Sequence, residues 1–396
     1  MNRLTGECSV EMDTEEKRQS PKCLIVVLSP STHPGEFSDR AHRGDALCLA
    51  TEKTSGVAAG LVGREINSFQ LDTQIIENWI SLCLKGHRNS CRPVFTKELP
   101  GIRLIDVETR TIVRYPGDNT AYVALSYVWG DAKQTSYQLG SDLKLATLPQ
   151  TIEDSISLTK KLGKGYLWVD SVCIDQENDA DKLDQIDRMW SIYRGAYVTI
   201  IALSGTSAHS GLPRMGQDAS TQPQLRCSID GKLLLGLMPT LSQQIWVAPW
   251  GKRAWTLQEA LLSPRCLYIS DHQMYYECNE MQCCESLDER DSWAHKLGHD
   301  SGPDVPGWLQ SQTGAGCLKN PLDDPADRIG HYGAKLTLYS YRTTTYKSDV
   351  LKAFQGILQQ LTTLYKKGFH CGLPIEDFQW GLLWRAQTPP KRRLGF

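Results

Sequence analysis

The sequence predicts an α/β protein built on a parallel sheet flanked by helices, and three observations carry that expectation. Residues 122–128, 165–170 and 197–203 are rich in β-forming residues and too continuously apolar for half-exposed strands, so each reads as a strand buried on both faces. Two amphipathic helical stretches separate these runs. The joins between them are short, and strand, helix, strand, helix, strand is the order of a sheet covered on both sides.

The elements follow in chain order. Residues 1–70 hold scattered Ser, Thr, Gly and Pro with one apolar run at 23–28, and are expected to be a loosely packed or accessory segment. From Leu71 the residues Ile75, Ile76, Trp79, Ile80 and Cys83 recur at helical spacing, with a stop near Gly86. Residues 102–105 and 111–114 read as a hairpin. The first buried strand stops at Trp129-Gly-Asp131. Pro149 then occupies a first-turn position, Ile152, Ile156, Leu158 and Leu162 form an apolar face, and Gly163 ends the helix. After the second strand, the acidic loop 175–181 feeds a helix with Leu183, Ile186, Trp190 and Tyr193 on one side, closed by Gly195. About 45 residues after Ser204, rich in Gly, Ser, Gln and Pro, look like an inserted excursion with a hairpin-like patch at 225–238. Residues 252–262 read as a helix terminated by Pro264, and 265–269 as a fourth strand.

Composition narrows the function classes. The chain has 396 residues, 43 Lys+Arg against 45 Asp+Glu, and a formal charge of -2, which provides no general field for holding a polyanion. Nucleic acid is therefore not expected as a partner. No run approaches the roughly 18–20 apolar residues that span a bilayer, and the N-terminus lacks the layout of a secretory signal. A cytoplasmic protein is expected. Thirteen cysteines scattered from Cys8 to Cys371 fit a reducing compartment, where Cys acts as a small hydrophobe. Two groups carry a metal alternative: Cys83, His87 and Cys91, which a helix would place on one stripe, and Cys278 with Cys283 and Cys284. Their spacing differs from the tighter turns of structural zinc pairs. The expectation is no metal, with Cys83 packing beside Trp79 and with His87 and Cys91 at the helix end.

In such a sheet the ligand crevice lies at the C-terminal ends of the strands. Those ends carry Ser126, Tyr127, Trp129, Gly130 and Asp131, then Asp170 and residues 171–176, then Ser204 and Gly205. Asp and Ser also cap helices and form turns at such joins, so their presence admits both readings. Trp255 and Glu259, four residues apart on a helix, can place an indole and a carboxylate on one face. No dinucleotide-binding glycine fingerprint, P-loop, metalloprotease motif or nucleophile elbow occurs. That pattern disfavours dehydrogenase, kinase and esterase chemistry.

Three long blocks, Tyr122-Val-Ala-Leu-Ser-Tyr-Val-Trp-Gly130, Leu167-Trp-Val-Asp-Ser-Val-Cys-Ile-Asp-Gln176 and Arg253-Ala-Trp-Thr-Leu-Gln-Glu259, resemble in sequence and order the signature blocks of the fungal heterokaryon incompatibility (HET) domain. The resemblance covers residues 71–284, including the prelude Trp79-x₃-Cys83-x₃-His87-x₃-Cys91. It leaves 285–330 as a loop-rich insertion or linker and 331–396 as a C-terminal helical region. Tyr341-Arg342, Asp349, Ala353, Gly356-Ile357 and Leu382-Leu383-Trp384 resemble the helical region that often follows the domain. Relatives often continue beyond a segment like Lys391-Arg-Arg-Leu-Gly-Phe396, which leaves a truncated C-terminal region as one expectation and a short family member as the other.

The resemblance implies a cell-death effector of fungal non-self recognition, with other proteins of an incompatibility system, or further copies of itself, as partners. It also implies a flavodoxin-like sheet, because HET domains are considered distant relatives of Toll/interleukin receptor (TIR) domains. Some TIR domains cleave NAD at the nicotinamide glycosidic bond, using a glutamate on a helix shortly after a Trp. Glu259 matches that position. On this reading NAD is a substrate and no cofactor is needed. Glu259 stabilises the oxocarbenium-like ribose, Trp129 or Trp255 stacks on a flat ring, and Ser126 with Asp170 or Asp175 holds hydroxyls. The alternative implied by the same resemblance is a non-catalytic adaptor that signals death through assembly.

Overall fold

A computed structural model describes residues 25–27, 46–49, 62–87, 90–95, 99–117, 119–132, 137–144, 147–216, 222–229, 232–236, 238–288 and 325–383. Its centre is an eight-stranded sheet. In chain order the strands are β1 (Arg103–Asp106), β2 (Thr111–Arg114), β3 (Val123–Ser126), β4 (Tyr166–Trp168), β5 (Val198–Ala202), β6 (Arg265–Ile269), β7 (Met274–Cys278) and β8 (Gln282–Cys284). The spatial order is β8-β7-β6-β5-β3-β4-β1-β2.

Four inner strands are parallel: β4 on β3, β3 on β5 and β5 on β6. The sheet as a whole is mixed, which corrects the expectation of a purely parallel one. The hairpin β1–β2 joins one side antiparallel through β4, and β7–β8 extend the other side antiparallel from β6. The physical reason is connection length. A tight turn such as 106–111 or 269–274 returns the chain antiparallel, whereas each parallel pair has a longer crossover between its strands.

Helices cover both faces. Before the sheet comes α1 (Thr73–Gly86), whose N-terminus is capped by Asp72 and which buries Ile76, Trp79, Ile80 and Cys83. Next, α2 (Gln150–Lys161) buries Ile152, Ile156 and Leu158, follows Pro149, and packs on β3 and β4. The second strand runs into one short turn of helix, α3 (Asp170–Cys173), where the sequence suggested only a loop. The long helix α4 (Asp179–Gly195) is capped by Asn178. Its buried face is Gln185, Met189, Ile192 and Tyr193, while Leu183 faces solvent at 52% exposure.

The excursion after β5 contains strands 226–229 and 232–236, and the latter pairs with 46–49, which pairs with 25–27. It leads to α5 (Leu241–Val247) and α6 (Pro249–Lys252). The helix expected over 252–262 is interrupted. Arg253 adopts extended backbone, φ -84 and ψ 135, and α7 (Ala254–Leu262) begins after it. C-terminal helices α8 (Pro325–Ser340) and α9 (Lys352–Leu361) pack on α7 through Ala254, Leu257 and Leu261 against Tyr332, Tyr339, Phe354, Ile357 and Tyr365. Residues 289–324, Trp384 and 391–396 lie outside the described residues, as do most of 1–61. No helix among the described residues is long and apolar enough to cross a membrane.

Candidate functional site

The ends of β3, β4 and α7 meet in one buried polar cluster. Ser126 is the last residue of β3 and only 1% exposed, because the strand is central and has both faces covered. Its hydroxyl donates to Glu259 Oε2 on α7 and accepts from Trp250 Nε1 at 2.7 Å. Asp170, at the start of α3, accepts from Trp129 Nε1 at 2.9 and 3.1 Å and from the Ser171 backbone N–H at 2.7 Å. The extended residue Arg253 turns its guanidinium toward this region, with Nη1 3.4 Å from the Tyr127 carbonyl.

Electrostatics link the two carboxyl groups. Burial, and then the charge of Asp170, push Glu259 up to about 7, against the opposing pulls of Ser126, Arg253 and Tyr193. Burial pushes Asp170 up to about 6, opposed chiefly by Arg253. Two acids whose environments hold protons near neutrality, at the ends of parallel strands, form a candidate site on physical grounds. The cluster can exchange protons and place negative charge in a low-dielectric setting. Glu259 is 5% exposed, whereas Asp170, Trp129 and Arg253 are half-buried.

A cavity of about 400 Å³ opens at the same edge of the sheet. Its wall includes Tyr127, Tyr137, Pro149, Ser171, Ala208 and His209, supplied by the segments that follow β3, β4 and β5 and by the approach to α2. The Tyr127 hydroxyl lies 2.7 Å from Ser171 Oγ. Tyr127 lines the cavity, and both Asp170 and Glu259 act on its hydroxyl, whose proton burial holds well above the ordinary range.

The expected residues therefore divide. Ser126 and Glu259 meet directly, as do Trp129 and Asp170, but none of these four lines the cavity. Trp255 lies in the seam between the main core and the C-terminal helical cluster. The indole that reaches the Glu259 network is Trp250, through Ser126. Asp175 accepts from Gln138 Nε2 at 2.9 Å and from the Glu177 backbone N–H at 3.2 Å, within its own acidic turn. Sequence reasoning gave no site role to Trp250 or Arg253, placed Tyr193 only on the apolar face of its helix, and counted Ser171 only among the residues at the end of its strand. Arg253 and Ser171 sit inside the signature blocks, which was their available signal. Trp250 carried none beyond being a tryptophan beside a Pro and a Gly.

The cysteines also regroup. Cys278 leaves the company of Cys283 and Cys284 and joins Cys83, His87 and Cys91, so that one potential ligand atom from each of these four lies within 4.8 Å of the others.

The family model described as "Heterokaryon incompatibility protein (HET)" matches residues 122–259, which run from the start of β3 to Glu259. A curated relative, "Heterokaryon incompatibility protein 6, OR allele" of Neurospora crassa, is 24% identical over a region covering 39% of this chain. That region is 29% of the relative, so the chain matches well under half of the relative's length. No solved structure matches the chain.

Proposed function

We propose that this chain, whose residues 122–259 match the heterokaryon incompatibility family model, is a cell-death effector of fungal non-self recognition, and that Glu259 serves hydrolysis of NAD or a related nicotinamide nucleotide. One observation carries the chemical part: the Glu259 carboxyl is buried against Ser126, at the C-terminal end of a central parallel strand, and a cavity opens at the same edge of the sheet. Kinship with TIR domains is supported by the inner strands, whose order β4-β3-β5-β6 is second, first, third, fourth in the chain. That is the flavodoxin-like order, with the crevice at the reversal between β3 and β5.

In the reaction, the bond between ribose C1′ and the nicotinamide nitrogen breaks, and nicotinamide leaves with the electron pair. Water then adds to C1′ and loses a proton. Glu259 holds its proton up to about pH 7, and above that its carboxylate stabilises the positive charge that develops on the ribose, as carboxylates do in glycoside hydrolysis. Tyr127 lines the cavity and Glu259 does not, so access from the cavity to Glu259 requires the cavity wall to move. Assembly with partners or further copies is the event that supplies such a rearrangement.

A second reading is favoured by a different observation. Glu259 is 5% exposed and already bonded to Ser126, an arrangement that also suits a purely structural carboxyl in a non-catalytic adaptor. Incubation of concentrated full-length protein with NAD, with nicotinamide measured by chromatography, separates the two. Hydrolysis by the wild type and at least about 100-fold less by Glu259→Gln, at equal foldedness, is the expected result. Equal rates remove Glu259 from the chemistry. Cell death with intact nicotinamide nucleotides establishes the adaptor.

A further inference from the structure

Three thiols and one imidazole converge where α1 meets the end of β7. Cys83 occupies the last turn of α1, where the His87 N–H donates to the Cys83 carbonyl at 2.8 Å, and the Cys91 N–H donates to the His87 carbonyl at 3.1 Å. The ligand atoms of these three side chains gather within 4.8 Å of one another. Cys278 comes from the other end of the domain. It is the last residue of β7, and its N–H donates to the Met281 carbonyl at 2.9 Å to close the turn into β8. Asn279 Nδ2 donates to the Ser90 carbonyl and fastens that turn to the 87–91 segment. Trp79 and Tyr276, with ring centroids 6.1 Å apart, pack the same two elements together.

We propose that Cys83, His87, Cys91 and Cys278 bind one structural Zn²⁺. The donor set is three sulfurs and one nitrogen, the soft and borderline mixture that selects zinc over hard cations. A tetrahedron with bonds of about 2.3 Å to sulfur and 2.0 Å to nitrogen separates its ligand atoms by roughly 3.5–3.8 Å. His87 Nδ1 lies 3.5 Å from Cys278 Sγ, and the four ligand atoms fall within 4.8 Å of one another. Cys83 and Cys91 are fully buried, Cys278 is 4% exposed and His87 is half-buried, and four protein ligands fill a tetrahedron, as in structural rather than catalytic zinc centres.

Charge balance points the same way. Zn²⁺ displaces the three thiol protons to solvent and takes His87 as neutral imidazole, which leaves a net charge of -1 on the centre. Arg265 is 2% exposed on β6, and its Nε lies 3.3 Å from Cys83 Sγ. Its Nη1 donates to the Tyr197 carbonyl at 2.9 Å, and its guanidinium also lies over the Tyr197 ring. A buried guanidinium aimed at sulfur is the outer partner that an anionic zinc–thiolate centre calls for. The ion would clasp α1, which precedes the family-matched region, to β7, which follows it.

The test uses the full-length chain, expressed with added zinc and purified with a reductant and no chelator. Elemental analysis should return one zinc per chain. Cys278→Ser should lose it, while Cys284→Ser, a change on the neighbouring strand outside the group, should keep it. Exchange with Co²⁺ should give the intense visible absorption of a tetrahedral thiolate centre, lost in Cys278→Ser. Folded wild type with less than about 0.1 zinc per chain and no cobalt spectrum overturns the proposal, and so does full zinc in Cys278→Ser. If that variant is insoluble, mercurial titration of the wild type decides: zinc released in step with thiol modification supports the site, and no zinc released overturns it.

Discussion

Glu259→Gln should change how stability depends on pH, by an amount that can be worked from the site. The folded carboxyl holds its proton up to about pH 7, against an ordinary value of 4.5. Below pH 4.5 folded and unfolded chains both carry the proton, and the contribution to stability is complete. Between 4.5 and about 7 the unfolded chain gives up the proton first, so stability falls as pH rises. Above 7 both states are ionised and the loss is constant, at about 3 kcal/mol for this interval. Glutamine keeps the shape and can accept from Ser126, but it cannot ionise. The variant should therefore match the wild type near pH 4.5 and be more stable by about 3 kcal/mol near pH 8, less any share carried by relaxation around Asp170. Urea unfolding followed by tryptophan fluorescence at several pH values and fixed ionic strength measures this. Parallel profiles, or a wild type that gains stability over the variant as pH rises, would refute a buried, unpaired-by-charge Glu259. The opposite sign belongs to a salt-bridged carboxylate.

Two further substitutions test the frame that holds the site. Arg214 and Glu285 form a two-pronged ion pair at 2.7 Å with side chains 0% and 1% exposed, and Glu285 also accepts the Met274 N–H, so Glu285→Ala should cost about 3–5 kcal/mol in urea unfolding. Joint replacement of both residues by Met should recover most of it, and a cost below about 1 kcal/mol for the single change contradicts the buried pair. At Gly356, on α9, an added Cβ would lie 2.8 Å from Gln258 Oε1 and 2.9 Å from Leu262 Cδ1 and Trp190 Cβ. Gly356→Ala should therefore loosen the C-terminal helices from α7 at a cost of about 1–3 kcal/mol, read as faster proteolysis after α7, and unchanged proteolysis would rule out that close packing.

The inner fold was legible because its signals are local. Runs such as Val198–Ala202 are buried at every position, and the helices between strands carry apolar faces and local start signals, Pro149 before α2 and the Asn178 cap before α4. What the sequence did not announce were partners distant in the chain. The hairpin β1–β2 was readable as a hairpin, but its docking antiparallel to β4 depends on which edge remains free after the parallel strands assemble. The break at Arg253 was hidden because the residues on both sides favour a helix. It is held by tertiary contacts: the Ala254 N–H donates to the Thr343 carbonyl at 2.8 Å, the Thr343 N–H to the Lys252 carbonyl at 2.7 Å, and Arg342 donates to the Arg253 carbonyl at 3.1 Å.

That break has consequences for the acidic cluster. It separates α6 from α7, which lets Trp250 reach back to Ser126 while Glu259 approaches the same hydroxyl from the following helix. Arg342 lies over the Trp250 ring and bonds Thr256 Oγ1 at 2.8 Å, so the segment after α8 braces the turn that presents both side chains. Whether Glu259 acts chemically or structurally, its position depends on residues well beyond the family-matched region. A fragment ending near Glu259 would keep the signature blocks and lose the contact that fixes the geometry of their last one. The acidic cluster is thus joined to the C-terminal helices, and anything that displaces those helices acts on Ser126 and Glu259 through Arg342, Arg253 and Trp250.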